Sequence, residues 1–212
     1  AEVLARHGIH HPFVVCDENT RRVAMAQVEA SLKAADMPYV VCSLGEGHIE
    51  PDEAAVGALT MAFQPCCDGI LAVGSGVIND CCKVLAHTAG CRSVVVGTAP
   101  SMDGYASAGS PTLFDGTKAT IKCTTPKYII ADLDVMKEAP FDMLLSGIGD
   151  MFGKYTGILD WELARDYNGD YYCREIADEV IEATDKCMKN GYDLKSRSAD
   201  CIKNIMEGFL VT

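Results

Sequence analysis

Small polar side chains gather at one point of this chain, Gly97 to Ser107 (GTAPSMDGYAS), where Thr98, Ser101, Asp103 and Ser107 fall in a turn that follows an apolar run. Hydroxyls and a carboxylate in such a turn suit a polar ligand. Just upstream, LAVGSGVINDCCK (Leu71 to Lys83) runs from an apolar strand through Gly74-Ser75-Gly76 into a helix. A turn of this kind lets a diphosphate approach backbone N–H groups at a helix N-terminus. Asn79 and Asp80 occupy the first turn of that helix. Read alone, the glycines equally suit a tight strand-to-helix turn with a capping residue; two polar turns in succession favour a nucleotide crevice.

Three aspartates need a role. Asp17 ends an apolar strand, where a carboxylate can accept hydrogen bonds from ribose hydroxyls or, with Asn19, cap the helix starting near Thr20. Both readings stay open. Asp103 lies in a turn, where aspartates commonly bond their own backbone. Asp150 follows Gly147 and Gly149 in the apolar stretch LLSGIGDMFGKY, so burial is expected there, and a buried carboxylate needs a partner or a metal. A salt bridge to Lys154, one helical turn on, is the competing account. His7, His10, His11, His48 and His87 show no metal-ligand spacing with Asp150 and read as solvated. Trp161 reads as core, and Tyr171 and Tyr172 as ordinary helix packing.

The elements that must position these residues alternate. Phe13–Cys16, Tyr39–Ser43, Ile70–Val73 and Ser93–Gly97 are apolar, β-branched strands. Between them the pattern predicts helices over Thr20–Ala35, Pro51–Phe63 with proline in the first turn, and Val77–Ala89. Short buried strands divided by such helices are the mark of parallel βαβ units, hence a doubly wound α/β sheet of Rossmann-like type, with ligands beyond the carboxyl ends of the strands. Thr117–Lys122 and Lys127–Ala131 read as two further strands. From Pro140 the period changes: Met151–Ala164, Tyr171–Met188 and Ser198–Leu210 carry apolar residues at helical spacing. The expected division is 1–138 for a dinucleotide-binding domain and 139–212 for the start of an all-helical C-terminal domain. The last helix reaches Thr212 without a cap and helix starts at Ala1, so both ends read as cut from something longer.

Composition narrows the classes. With 212 residues, 49% of them hydrophobic, the chain can bury a core. Its apolar runs are too short to span a bilayer. A net charge of −12 with 18 scattered Lys and Arg argues against nucleic acid. Eleven cysteines, odd in number and without a C-x-x-C, read as buried thiols in a reducing cytoplasm. The adjacent pairs Cys66-Cys67 and Cys81-Cys82 make poor metal clamps, because neighbouring side chains on a helix or strand diverge.

VGSGVINDCCK, VVVGTAPSMDGYASAGSP and ADLDVMKEAPFDMLLSGIGDMFGKYTGILDWELA together resemble, in order and spacing, the sn-glycerol-1-phosphate dehydrogenases, relatives of the iron-dependent alcohol dehydrogenases, glycerol dehydrogenases and dehydroquinate synthases. The resemblance covers essentially the whole chain. It implies an enzyme that uses NAD or NADP to interconvert glycerone phosphate and sn-glycerol 1-phosphate, with zinc or nickel in an interdomain cleft. By the same resemblance Gly76, Val77, Ile78, Asn79 and Asp80 contact the cofactor diphosphate, and Thr98, Ala99, Pro100 and Ser101 hold the cofactor. Ser107 lies on the nicotinamide side, Asp103 meets substrate, and Asp150 ligates the metal and touches substrate. A homodimer is implied as well. The family's remaining metal ligands are histidines beyond a helix resembling CIKNIMEGFLVT, and no histidine follows His87 here, so a fragment of the enzyme is expected. Two other readings are a glycerol dehydrogenase acting on an unphosphorylated polyol, with Lys118, Lys122 or Lys154 as the discriminating phosphate ligands, and a nucleotide-binding module without chemistry.

Overall fold

The computed structural model describes residues 1–191 and 193–212. The chain divides into two compact units: a sheet unit, Ala1–Thr98 with Gly104–Val135, and a helical unit, Ala99–Asp103 with Met136–Thr212.

In the sheet unit, α1 (Glu2–Arg6) precedes β1 (Pro12–Cys16), and α2 (Glu18–Thr20) continues through a π-helical turn at Arg21–Met25 into α3 (Ala26–Ala34). Then follow β2 (Val40–Ser43), α4 (Glu53–Ala62), β3 (Gly69–Gly74), α5 (Gly76–Ala89) and β4 (Arg92–Gly97). After them come β5 (Gly109–Phe114), β6 (Thr117–Lys122) and β7 (Tyr128–Ala131), with the short α6 (Leu133–Met136) passing toward the helical unit. The strands of the main sheet are parallel, in the order β2-β1-β3-β4-β7. Connections leave β1 in one direction and β3 in the other, so the topological switch point, where open α/β sheets place ligands, lies at the carboxyl ends of β1 and β3.

Parallel strands covered on both faces must be apolar throughout, and β1 and β3 are buried at every position. Side chains alternate between the two faces. Val14, Cys16, Leu71, Val73 and Val94 join Leu4, Ala24, Met25 and Leu32 in one core. Phe13, of opposite parity, meets Phe63 edge-on at 5.3 Å.

The structure departs from sequence expectation in four places. Pro51 lies before α4 rather than in its first turn; the cap is Asp52, whose carboxylate accepts the Ala55 N–H at 2.8 Å. The helix after β1 contains a π-helical turn. Thr117–Lys122 does not extend the main sheet but pairs antiparallel with β5, an unexpected strand. Asp115 and Gly116 join the two with φ of 48° and 70°, the left-handed pair that a two-residue hairpin turn requires. Tyr171 and Tyr172 lie in a loop, not in a helix. Trp161 is half-buried, and its indole Nε1 donates to the Tyr171 carbonyl at 2.6 Å.

The helical unit is built on α7 (Phe141–Asn168), α8 (Arg174–Gly191) and α9 (Ala199–Val211), with a 3-10 turn at Leu194–Ser196. α7 stops at Gly169, φ 73°, and Ser198 caps α9 by accepting the Cys201 N–H. Gly208 is where the three helices meet. A Cβ there would lie 2.7 Å from Cys187 Sγ and 2.8 Å from Met151 Cε. None of the described helices is long and apolar enough to cross a membrane, and all eleven cysteines are free thiols.

Candidate functional site

The site residues of the sheet unit start where β3 ends. Asn79 N donates to Ser75 O at 2.9 Å, the first intrahelical bond of α5, so the N–H groups of Gly76, Val77 and Ile78 precede the ladder and face the helix entrance. Ser75 makes no capping bond with its side chain. Gly74 has a reason of its own to lack a side chain: a Cβ would stand 2.6 Å from Ile78 Cβ. The turn is therefore pressed onto the first turn of α5, leaving backbone donors and a positive helix end to fit an anionic group such as a diphosphate. Thr98, the first residue past β4, is buried, and its N–H reaches Gly74 O at 3.3 Å. Asp17 is engaged locally. It accepts the Thr20 N–H at 2.7 Å while Thr20 Oγ1 accepts the Asp17 N–H at 3.0 Å, a reciprocal cap at the switch point.

The sequence gave no role to the side chain that organises this half. Lys83, one turn beyond Asn79 on α5, is completely buried. Its ammonium lies 2.9 Å from Asp80 Oδ1 and donates to Gly104 O at 3.1 Å, Ser107 Oγ at 3.0 Å and Gly109 O at 2.5 Å. Asn79 Nδ2 donates to Gly104 O at 3.1 Å, and Ser110 Oγ to Asp80 O at 3.0 Å. One face of α5 thus holds the Gly104–Ser110 segment, with Ser107 set by Lys83. Asp80 Oδ1 is buried and has no hydrogen bond; its contact with Lys83 is close in distance but not aligned as one. Burial raises the Asp80 pKa, and the Lys83 ammonium only partly opposes it. A lysine three residues after an aspartate, inside an otherwise apolar helix, was the available signal.

In the helical unit, Gly147, Asp150 and Lys154 recur at helical spacing along α7 and meet Ala99–Asp103. A Cβ on Gly147 would fall 2.0 Å from Pro100 O and 3.0 Å from Phe209 Cζ, so α7 lies directly on the Pro100 backbone. Asp150 Oδ2 accepts the Asp103 N–H at 3.2 Å, and the Lys154 ammonium pairs with the Asp103 carboxylate. Lys154 is thus taken by Asp103. Asp150 itself is exposed, contrary to the burial expected from its apolar neighbours. Partial burial of its carboxyl group still raises its pKa, against the Asp103 N–H that favours the ion. Ala99 and Pro100 are buried and Ser101 half-buried.

A catalytic zinc or nickel ion does not fit the donors this chain supplies. Catalytic sites of this kind use about three protein ligands. Asp150 is one carboxylate, and neither 99–103 nor 136–212 contains a histidine. Among the described residues the converging three-donor cluster is His11, Cys66 and Cys67, which leaves Asp150 out.

Residues 1–140 match the iron-containing alcohol dehydrogenase family. The chain is 34% identical over 214 residues to the glycerol-1-phosphate dehydrogenase (NAD(P)+) of Bacillus subtilis strain 168, covering 100% of this chain and 54% of that protein. It is 27% identical to the protein of the same name from Thermococcus kodakarensis, covering 94% of this chain and 56% of that one. The chain spans about half the length of the curated relatives it matches. Among solved structures, glycerol dehydrogenase from Schizosaccharomyces pombe superposes with a TM-score of 0.76 at 21% identity, over 94% of this chain and 52% of that one. Maleylacetate reductase from Rhizobium sp. strain MTP-10005 gives 0.76 at 15%, over 99% and 57%. These likenesses establish a shared fold.

Two stability measurements test the geometry. Lys83→Met strands a buried carboxylate and is expected to cost about 3–5 kcal/mol in denaturant unfolding, with Lys83→Met/Asp80→Asn costing less than the sum of the single changes; strict additivity would show the pair uncoupled. Gly147→Ala is expected to lose about 1–3 kcal/mol by overpacking. Gly149→Ala, with nothing within 4 Å of the added methyl, is expected to gain about 0.5–1 kcal/mol.

Proposed function

The chain belongs to the iron-containing alcohol dehydrogenase family, and from that premise we propose that it serves an NAD(P)-dependent oxidoreductase interconverting glycerone phosphate and sn-glycerol 1-phosphate. One observation carries the reading beyond family membership: the Gly97–Ser107 segment is gripped at Pro100 and Asp103 by α7 and at Gly104 and Ser107 by α5. A polar turn held this firmly is suited to orient a cofactor and a small polar substrate rather than to connect strands. The relatives named for glycerol 1-phosphate supply the substrate class.

Each residue then has a task. The N–H groups of Gly76, Val77 and Ile78 receive the cofactor diphosphate, with Asn79 and Asp80 holding the loop opposite. Thr98, Ala99, Pro100 and Ser101 line the cofactor, Asp17 stands at the switch point toward its ribose, and Ser107 approaches the nicotinamide. The hydroxyls of substrate are met by Asp103 and Asp150, and the Lys154 ammonium beside them is the cation best placed for a phosphate. Lys118 and Lys122 lie on the exposed β6 hairpin. Hydride transfer is the chemistry a nicotinamide supplies when bound; the chain positions the reacting carbon and accepts the polyol hydroxyls. Asp150 supplies one donor toward a divalent ion, and no step is assigned to a metal. The free thiols agree with a reducing, cytoplasmic setting, and a homodimer is part of the same proposal.

Assay of the protein with NADH and NADPH against glycerone phosphate, and with the oxidised cofactors against sn-glycerol 1-phosphate and glycerol, is expected to give turnover of the phosphorylated pair. Turnover of glycerol alone would overturn the substrate, and failure to bind either reduced cofactor in calorimetry would overturn the dehydrogenase reading. Asp103→Ala is expected to lower kcat/KM for the phosphorylated substrate about 10- to 100-fold, as loss of a charged hydrogen bond does, while leaving cofactor affinity unchanged.

A further inference from the structure

The amino edge of the main sheet carries a cluster with no part in the reading above. His11 immediately precedes β1, and Cys66 and Cys67 precede β3, the strand paired beside it with Pro12 opposite Gly69. A nitrogen of His11 and the Sγ atoms of both cysteines lie within 4.8 Å of one another, with His11 Nε2 and Cys66 Sγ 4.0 Å apart. Neighbouring side chains diverge on a helix or strand, the reason for expecting nothing of this pair. Here, however, the cysteines sit in a turn closed by Cys67 N donating to Gln64 O at 2.9 Å, and both thiols come toward the same imidazole.

The arrangement is fixed from beneath. Asp68 accepts the His10 N–H at 2.8 Å and the His11 N–H at 2.9 Å, and its own N–H reaches His11 O at 3.2 Å. Burial works against the Asp68 anion, but those backbone donors hold its pKa below the usual carboxylate range, so the clamp is ionised at neutral pH. Cys67 is 8% exposed, His11 half-buried and Cys66 open to solvent, which gives a cation both a seat and an entry path.

We propose that His11, Cys66 and Cys67 form a binding site for a thiophilic d10 cation, with zinc the ion of choice and a water in the fourth position. With Zn–S near 2.3 Å and Zn–N near 2.0–2.1 Å, ligand atoms of a tetrahedral site stand about 3.5–3.8 Å apart, so the three donors need to close by roughly 1 Å. Two thiolates and an imidazole select zinc or copper(I) over magnesium or calcium. Binding takes up the cation and releases both thiol protons; burial, then Cys66, pushes the Cys67 thiol up to about 11, so the empty site is protonated at neutral pH. The site lies about 16 Å from Gly74, the length of β3 at about 3.3 Å per residue. It would staple the segment before β1 to the turn before β3 without touching the ligand edge.

The test uses the reduced, chelator-stripped full chain, titrated with zinc against a chromophoric chelator and then with cobalt(II). One equivalent of zinc is expected, with thiolate-to-cobalt charge-transfer absorption in the near ultraviolet and a rise in melting temperature. Cys66→Ser and His11→Gln, both outside the buried core, are each expected to weaken binding by at least the roughly 10- to 100-fold that outer-shell losses cost, with NADH affinity unchanged. Less than stoichiometric zinc, a cobalt spectrum lacking thiolate charge transfer, or undiminished binding in the Cys66→Ser/His11→Gln protein would each overturn the site. Because the readout is metal binding, failure of the dehydrogenase reading leaves this result independent.

Discussion

A buried ammonium sets the terms for the rest of the sheet unit. Lys83 has no water around it, and an uncompensated charge in that position costs several kcal/mol. Three things must therefore stay together: α5, which carries the lysine; Asp80, which balances its charge; and the Gly104–Gly109 segment, whose two carbonyls and one hydroxyl take its protons. The carbonyls of an irregular segment are satisfied by the helix instead of by water, which lets the loop leave β4 without regular structure and still be fixed. Sheet geometry alone would not do this, because β4 ends at Gly97 and β5 begins only at Gly109.

The helical unit fixes its share of the same segment by a different device. Where Lys83 uses charge, Gly147 uses the absence of a side chain, bringing α7 against the Pro100 carbonyl. Asp150 and Lys154, on the same face of α7, then take the backbone N–H and the carboxylate of Asp103. Close backbone approach and paired charges reinforce each other, since the short contact at Gly147 sets the height at which the two longer side chains reach the segment.

Much of this order was legible because it rests on local patterns. Strands covered on both faces have to be apolar throughout, so Phe13–Cys16 and Ile70–Val73 stood out, and the helices between them followed from their period. β5 was missed because Gly-Ser-Pro opens it and its inward residues are Ser110 and Thr112, polar groups tied to each other and to Asp80 O. Asp17 was readable only as two alternatives, and the observed reciprocal cap with Thr20 accounts for its presence without a ligand. The glycines were the most ambiguous signal. Gly74 and Gly147 fall in motifs that suggest ligand approach, yet at both the missing methyl makes room for the protein itself, Ile78 in one case and Pro100 in the other. The convergence of His11 with Cys66-Cys67 depends on a turn joined to a distant strand by Asp68, a link that no spacing rule encodes.

The charge balance closes the physical account. A chain of net charge −12 repels an anionic dinucleotide or phosphate at long range. Screening limits that repulsion to about 8 Å at physiological ionic strength, so what a bound phosphate meets is the local field and not the total. Within each unit that field is corrected at short range: the N-terminus of α5 contributes roughly half a positive charge, Lys83 offsets Asp80, and Lys154 offsets Asp103 beside Asp150. The acidic residues along α8, by contrast, are left to solvent. Acidity over the surface and neutrality at the ligand edge are compatible because the cations are spent where burial makes them strongest.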